Sequence, residues 1–257
     1  MSRLSWQAAA PWVLPSATLA VLLALWQSAA SAGMLPATVP APTAIAVELV
    51  TNRAIYWYHL VPTALTAISG YLLAIGIALA AALTVHHVRS LELAVLSLGS
   101  CIDSIPIIAL APVLTIWMGV ALPTRITLAM IICLFPLLAT ALRGLHAPSD
   151  AARALFRVLA ASSWQQFRKL TFPAALPYFF HGLKIAAPLA VLGTLVGEWT
   201  GAEQGLGVLM TGAMLNLEIL QLWGSVCVTC ALASLLYGVV ALIEYFALRG
   251  RPAGEAE

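Results

Sequence analysis

Charged side chains are scarce in this chain of 257 residues. They make up 9% of the sequence, whereas 62% of the residues are apolar and the mean hydropathy is +0.98. A soluble domain carries about 25% charged residues. A chain with so few cannot cover itself with a water-facing surface, so we expect lipid to surround most of its length. The formal net charge of +2 is too small to indicate a nucleic-acid partner.

Lysine and cysteine are also scarce. The two lysines are Lys169 and Lys184, and neither follows a glycine. A phosphate-binding loop of the G-x-x-x-x-G-K-[ST] type is therefore absent from the sequence, and we expect the chain not to hydrolyse ATP. Cys227 and Cys230 have no histidine or further cysteine nearby. We interpret them as small residues of a buried helix and expect no metal site and no cofactor.

Long apolar runs are what the sequence has instead of charge. A helix needs about 20 apolar residues to cross a bilayer, and six stretches reach or approach this length. They lie at about residues 12–32, 60–84, 92–118, 122–142, 182–199 and 220–247. The expected fold class is an all-α integral membrane protein with about six transmembrane helices, in a single domain of residues 1–257.

Prolines interrupt two of these runs. Pro106 and Pro112 fall in the third run, and Pro188 falls in the fifth. Because proline frees backbone groups that neighbouring helices or a water-filled path must satisfy, we expect both helices inside the bundle. The first run has an alternative interpretation as a signal peptide cleaved after the small residues at 30–32. We favour a retained span, because the run is long for a signal.

Basic residues predict the orientation of the chain. With the N-terminus inside, only Arg53 and Arg125 fall in outer segments. The inner set is Arg3, Arg89, Arg143, Arg153, Arg157, Arg168, Lys169, Lys184, Arg249 and Arg251. By the positive-inside rule, both termini are then cytoplasmic.

The longest inner segment, about residues 143–181, interrupts the apolar sequence with polar and basic residues. We expect Asp150 to cap a short helix that breaks near residues 160–161. Ser162 and Gln165 have the spacing of a capping box that begins a second helix.

This second helix carries Trp164 and Phe167 beside basic residues, and we expect Pro173 to end it. Such a segment can lie on anionic lipid or insert into a groove of a protein partner.

The stretch ALFRVLAASSWQQFRKLTFPAALPYFFHGLKIA, residues 154–186, resembles the inner-loop signature of bacterial ABC importer permeases. PIIALAPVLTIWMG at 106–119 and GEWTGAEQGLGVLM at 197–210 are similar to further motifs of these permeases, in the same order and spacing. The likeness covers about residues 35–248 and is closest to permeases for sulfonates, nitrate and the pyrimidine precursor of thiamine. The glutamate, two alanines and glycine of the signature are replaced here by Ala154, Leu155, Phe156 and Ala160.

The resemblance implies a type I ABC importer permease fold in a bacterial inner membrane, with a cytoplasmic coupling helix within residues 143–181. It also implies three partners: a separate ATPase subunit, a periplasmic solute-binding protein and a second copy of the chain. The implied ATPase-coupling residues are Arg157, Ala160, Ala161, Ser162, Trp164, Phe167, Arg168, Lys169, Pro173 and Pro177.

Polar residues in or beside the spans are candidates for a translocation path or gate. Asp103 lies in the third run, and its alternative role is a structural carboxyl that ties the third span to the fifth. Glu198 closes the fifth span, and Trp199 is either part of a gate or an interfacial anchor. We expect glycine-rich turns and a short helix after them. The complete set is Ser100, Asp103, Ser104, Pro106, Thr194, Glu198 and Trp199.

The sequence thus predicts the permease subunit of an ATP-driven importer and not an enzyme. Short stretches near residues 196–210 resemble permeases for hydroxymethylpyrimidine, and a sulfonate, taurine or nitrate permease is the alternative. A fixed anion needs an Arg or Lys at mid-membrane, and we find none there, since Arg125 and Lys184 both lie near the ends of predicted spans. A proton-coupled secondary transporter, the alternative of another class, would have inverted repeats and several buried titratable groups.

Overall fold

The computed structural model describes residues 3–249, with side chains from Val13 onward. The helices are α1 (Arg3–Ser31), α2 (Pro42–Thr51), α3 (Arg53–His87), α4 (Glu92–Asp103), α5 (Ile107–Met118), α6 (Leu122–His146), α7 (Asp150–Val158), α8 (Ser163–Gln166), α9 (Phe172–Trp199), α10 (Leu206–Leu215) and α11 (Ile219–Leu248). A 3-10 turn covers Arg89–Leu91, and a π turn, Phe167–Thr171, joins α8 to α9. Arg251 lies outside the described residues, and only the backbone of Arg3 is described.

The expected membrane fold is confirmed. Within residues 3–249, five helical stretches are long and apolar enough to cross a membrane, and a bent pair raises the number to six if it counts as one span. The stretches are α1 from Val13 onward, α3, α6, α8 to α9, and α11. No strand interrupts the helices in this part of the chain.

The bent pair is α4 and α5, whose axes differ by 93°. Pro106 lies at the break, as the sequence predicts, and becomes the N-cap of α5. Pro112 lies inside α5 without interrupting it. Most side chains of α4 and α5 are exposed, so the expectation that this span lies inside the bundle is wrong for the single chain.

The helix that carries the fifth span is much longer than the sequence predicts. A continuous helical stretch runs from Ser163 to Trp199, so the second short helix of the inner segment and the fifth span form one helical stretch. Pro173 does not end the stretch; it is the second residue of α9, directly after the π turn at Phe167–Thr171. The irregular part of the inner segment is correspondingly short, at residues 147–149 and 159–162.

Pro188 lies inside α9 without breaking it. Neighbouring helices donate hydrogen bonds to carbonyls near this proline: Tyr71 Oη to Leu183 O at 2.8 Å, and Cys133 Sγ to Ala186 O at 3.3 Å. α9 is also the most buried of the candidate spans. The expectation that this helix lies inside the bundle is therefore confirmed.

The described residues form two compact units. One comprises the chain up to Trp57 and Leu209–Cys227, and the other comprises Tyr58–Val208 and the residues from Val228 onward. In the first unit, the rings of Trp26 and Trp223 lie 5.4 Å apart. Tyr56 Oη donates to Glu48 Oε1 at 3.1 Å, which ties the first turn of α3 to α2.

The second unit is organised around the contact between α6 and α9, which glycines make very close. A Cβ built on Gly193 would lie 2.8 Å from Ala129 Cα and 3.0 Å from Leu128 O. At the other end of the contact, a Cβ on Gly144 would lie 3.0 Å from Ala175 Cα. Small residues let transmembrane helices approach until their backbones touch, so dispersion contacts hold this pair together.

We predict that Gly193→Ala destabilises the protein by roughly 1–3 kcal/mol, because the added methyl group meets backbone that cannot give way. Gly76→Ala in α3 is the matched control, since a Cβ there meets nothing within 4 Å. Thermal unfolding of the detergent-solubilised protein measures both. Equal unfolding temperatures for the two variants would contradict the close α6–α9 contact.

Candidate functional site

The first short helix of the inner segment, α7, begins one residue earlier than expected. Its N-cap is Ser149, whose Oγ accepts a hydrogen bond from Ala152 N at 3.3 Å. The prediction that Asp150 is the cap is wrong, because Ser149 precedes it and has the required extended backbone. Asp150 instead supplies a negative charge to the first turn, where the helix dipole favours it.

The break after α7 is confirmed, and Ala160 produces it. Ala161 N donates to Phe156 O and Ala160 N donates to Arg157 O, both at 3.0 Å. These two bonds form a Schellman motif, which needs a left-handed residue, and Ala160 has a φ of 48°. The family signature has glycine at this position. Alanine costs about 1–2 kcal/mol in this conformation because of its Cβ.

The capping box at the start of α8 is also confirmed. Ser162 Oγ accepts from Gln165 N at 3.3 Å, and Ser162 N donates to Gln165 Oε1 at 2.8 Å. The reciprocal pair fixes the direction in which the helical stretch begins. The π turn follows directly, closed by the bond from Phe172 N to Phe167 O.

An aromatic cluster covers this turn. The ring of Phe167 lies 4.8 Å from His86, 5.9 Å from Trp164 and 6.2 Å from Phe172. Phe167 is half-buried, whereas the Trp164 side chain is 65% exposed. The two aromatic residues therefore differ in role: Phe167 packs within the protein, and Trp164 presents its ring outward.

The other predicted coupling residues lie on the same stretch of chain, residues 157–177. The exposed ones are Arg157, Ala160, Ser162, Arg168, Lys169 and Pro177, and the half-buried ones are Ala161 and Pro173. The structure thus brings them together on consecutive turns at 157–177, with three exposed cations around one exposed tryptophan.

A second site lies at the C-terminal end of α9, around Glu198. This side chain is 1% exposed. Thr63 Oγ1 donates to Glu198 Oε1 at 2.6 Å, and Gly207 N donates to Glu198 Oε2 at 2.7 Å. A buried carboxylate needs such partners, since its burial without them is costly.

These contacts also satisfy the N-terminus of α10. Leu206 N donates to Thr63 Oγ1 at 2.8 Å, and Gly205 N donates to His59 Nδ1 at 3.1 Å. With the bond from Gly207 to Glu198, three consecutive N–H groups that a helix start leaves without intrahelical partners are all bonded. Gly205 has a φ of 141°, and a Cβ there would collide with the Glu198 carboxyl group. The expected glycine-rich turn and short helix are present.

The remaining gate candidates lie in different surroundings. Asp103 is exposed at the end of α4, so the interpretation that it ties the third span to the fifth is wrong. Ser104 Oγ donates to Ser100 O at 2.8 Å beside it, and Pro106 follows. Thr194 is completely buried, and its hydroxyl donates to Ala190 O at 2.9 Å within α9. Trp199 is exposed. The structure does not bring the α4–α5 bend and the end of α9 into one hydrogen-bonded site within residues 13–249.

Sequence reasoning missed two ion pairs and the partners of Glu198. Lys184 Nζ lies 2.6 Å from Glu244 Oε2, and His146 Nε2 lies 2.8 Å from Glu92 Oε1. The sequence contains an indication of the pair between Lys184 and Glu244, because these opposite charges lie near the inner ends of the fifth and sixth predicted spans. No local pattern indicates that Thr63 is the partner of Glu198.

Comparison with known proteins identifies the chain. Residues 70–251, well over half of its length, match the family described as binding-protein-dependent transport system inner membrane component. The chain belongs to this family; it is an ABC importer permease. The permease is therefore a multi-pass component of the inner membrane, in accord with its apolar spans.

Relatives support the same conclusion over most of the permease. It is 31% identical to the probable ABC transporter permease protein of Haemophilus influenzae, over 87% of this chain and 91% of that protein. It is 32% identical to the formylaminopyrimidine transport permease protein ThiX of Halalkalibacterium halodurans, over 75% and 78% of the two chains. It is 26% identical to the putative aliphatic sulfonates transport permease protein SsuC of Bacillus subtilis, over 90% and 85%.

The permease also has an open cavity of about 480 Å³, which we call the α3–α6 groove. Its lining residues come from α3, the start of α6 and the turn after α9: Val61, Pro62, Leu65, Thr66, Ser69, Val120, Leu122, Arg125, Gly201, Ala202, Glu203 and Gln204. Gly197 lets the stem of Arg125 lie against α9, since a Cβ there would be 3.0 Å from Arg125 Cγ.

We predict that Thr63→Val destabilises the permease by roughly 1–3 kcal/mol, because buried Leu206 N–H and Glu198 lose a hydrogen-bond partner. Thr63→Ser keeps the hydroxyl and is the matched control. Thermal unfolding in detergent, followed by tryptophan fluorescence, measures both. If valine and serine variants unfold at the same temperature, the hydroxyl does not hold the start of α10.

Proposed function

We propose that this permease carries a small solute inward, driven by a separate ATPase subunit that docks on residues 157–177. The proposal rests mainly on Trp164, which is exposed. It lies on a capped turn at the start of the helical stretch that ends at Trp199. An exposed tryptophan flanked by cations is the kind of anchor that supplies most of the energy of a protein interface.

The contacts within the aromatic cluster support a division of roles. Phe167 is in contact with His86, Trp164 and Phe172, so its ring is already packed. It would hold Trp164 in place, and Trp164 would enter the partner. Arg157, Arg168 and Lys169 are exposed, with no ion pair to any described residue. They are available for acidic groups of the ATPase, or for anionic lipid beside it.

We infer the wider assembly from the membership of the family. A periplasmic binding protein would deliver the solute, and two copies of the permease domain, residues 1–257, would form the path. Both termini would be cytoplasmic by the distribution of basic residues. Large exposed apolar side chains on α5, such as Ile116 and Trp117, suit contact with lipid or with the second copy.

For the solute, we propose a pyrimidine of the hydroxymethylpyrimidine or formylaminopyrimidine type. Support comes from the similarity to a relative named for formylaminopyrimidine transport. A sulfonate is the second candidate, supported by a relative named for aliphatic sulfonates. Arg125, which lines the α3–α6 groove, also favours this candidate because it could pair with an anion.

Replacing Trp164 with alanine is expected to remove roughly 2–4 kcal/mol of docking energy, the range of a central hot spot. Co-purification of the ATPase and solute uptake should both fall, while membrane insertion stays unchanged. Trp57→Ala is the matched control, because Trp57 is 67% exposed and Trp164 65%. Unchanged co-purification of the Trp164 variant would favour the alternative in which this segment lies on lipid.

Deleting the gene should abolish uptake of an external pyrimidine precursor and leave growth on a sulfonate intact. Cells that require the precursor, supplied with labelled hydroxymethylpyrimidine, provide the measurement. The reverse pattern would support the sulfonate candidate. Uptake that continues after the ATPase subunit is inactivated would indicate a proton-coupled secondary transporter instead.

A further inference from the structure

Arg125 stands out among the cations of the permease. Three cationic side chains are half-buried among residues 13–249: Arg125, Arg153 and Lys184. Arg153 donates to Pro148 O and Leu145 O, each at 3.2 Å, and Lys184 pairs with Glu244. Arg125 makes no hydrogen bond and no salt-bridge contact to any residue in the described part of the chain, but it interacts electrostatically at longer range with the buried Glu198 carboxyl group.

The guanidinium of Arg125 has hydrogen-bonding capacity that the rest of the described chain does not use. Arginine has five N–H donors in a planar fork and cannot lose its charge in a protein. Its nitrogens are accessible, since Trp26 Nε1 is the only buried side-chain nitrogen or oxygen without a partner among the described residues. Arg125 faces the α3–α6 groove, so the partner of its donors has to come from water or from a molecule that enters the groove.

The groove is large enough for a small molecule, and it differs from two other open cavities of about 450 and 500 Å³ in having a cation in its lining. Its volume of about 480 Å³ falls within the range of about 300–1,000 Å³ for ligand pockets. Val61, Pro62 and Leu65 provide an apolar wall, and Ser69 adds a hydroxyl. The exposed carboxylate of Glu203 also lines the groove, and it could accept a hydrogen bond from an amino group.

We infer that the α3–α6 groove is a solute subsite, in which Arg125 binds a hydrogen-bond-accepting or anionic group and Glu203 binds an amino group. The inference rests on the proposed import function and specifies the solute class. Two kinds of solute have this chemistry: an aminosulfonate such as taurine, and an aminopyrimidine with acceptor atoms on its ring or formyl group.

Substitution of Arg125 by lysine distinguishes these two kinds of solute. A sulfonate needs positive charge, which lysine also provides. An acceptor edge on a heterocycle matches the planar, bidentate fork of arginine, which lysine lacks. Arg125→Lys should therefore keep most of the affinity for a sulfonate and lose most of the affinity for an aminopyrimidine.

The test uses the full-length permease in lipid nanodiscs, without the ATPase or the binding protein. Thermal unfolding is measured against rising concentrations of taurine and of a formylaminopyrimidine, since a ligand that binds the folded state raises the unfolding temperature. We expect at least one probe to stabilise the wild type. Arg125→Gln should need at least tenfold more of that probe for the same shift.

Two further variants complete the design. Glu203 is exposed, so Glu203→Gln should leave the fold undisturbed. This variant should also weaken the binding of the probe. Arg53→Gln removes an exposed arginine outside the groove and should bind the probe as the wild type does. Because the ATPase is absent from the assay, loss of ATPase docking in the Trp164 experiment and loss of solute binding here are separate results.

Two outcomes would overturn the inference. In the first, neither probe stabilises the wild type at any concentration that the protein tolerates. In the second, Arg125→Gln responds to the probe as the wild type does.

Discussion

The close contact between α6 and α9 is the constraint on which the rest of the second unit depends. Gly193 meets the backbone at Ala129, and Gly144 meets Ala175, so neither helix can shift without opening a gap. This contact fixes the course of α9 relative to α6 over much of their length. Gly197 continues it and directs the stem of Arg125 along α9. The groove and the Glu198 site therefore both derive their geometry from one helix pair.

α3 connects the aromatic cluster to the Glu198 site, as the α8–α9 stretch also does. Near its start, His59 and Thr63 bond the N-terminus of α10, and Thr63 also bonds Glu198. At its other end, His86 packs against Phe167. Both α3 and the α8–α9 stretch thus extend from the aromatic cluster to Glu198. A displacement imposed on Trp164 has two continuous helical routes to the start of α10.

Local patterns in the sequence predict local structure well, and long-range contacts account for the errors. The capping box of Ser162 and Gln165 follows from four consecutive residues. The tolerance of α9 for its prolines cannot be read from neighbouring residues. It depends on contacts such as the hydrogen bond from Tyr71 to Leu183 O, and Tyr71 lies far away in the sequence. Glu198 is recognisable as polar and unusual, but its partner Thr63 lies 135 residues away. In the sequence, Arg125 is a residue near the end of a predicted span, and no local pattern reveals the groove beside it.

The length of the α8–α9 stretch has a mechanical consequence. Exposed Tyr178 and Trp199 are separated by about 32 Å along the helix, close to the hydrocarbon thickness of about 30 Å. Aromatic residues are enriched at the two membrane surfaces. With the surfaces at Tyr178 and Trp199, the turns before Tyr178 would project about 22 Å into water as an arm. A tilt of about 10° around Tyr178 would move Trp164 sideways by about 4 Å, so a small rotation of the span corresponds to a large stroke at its tip.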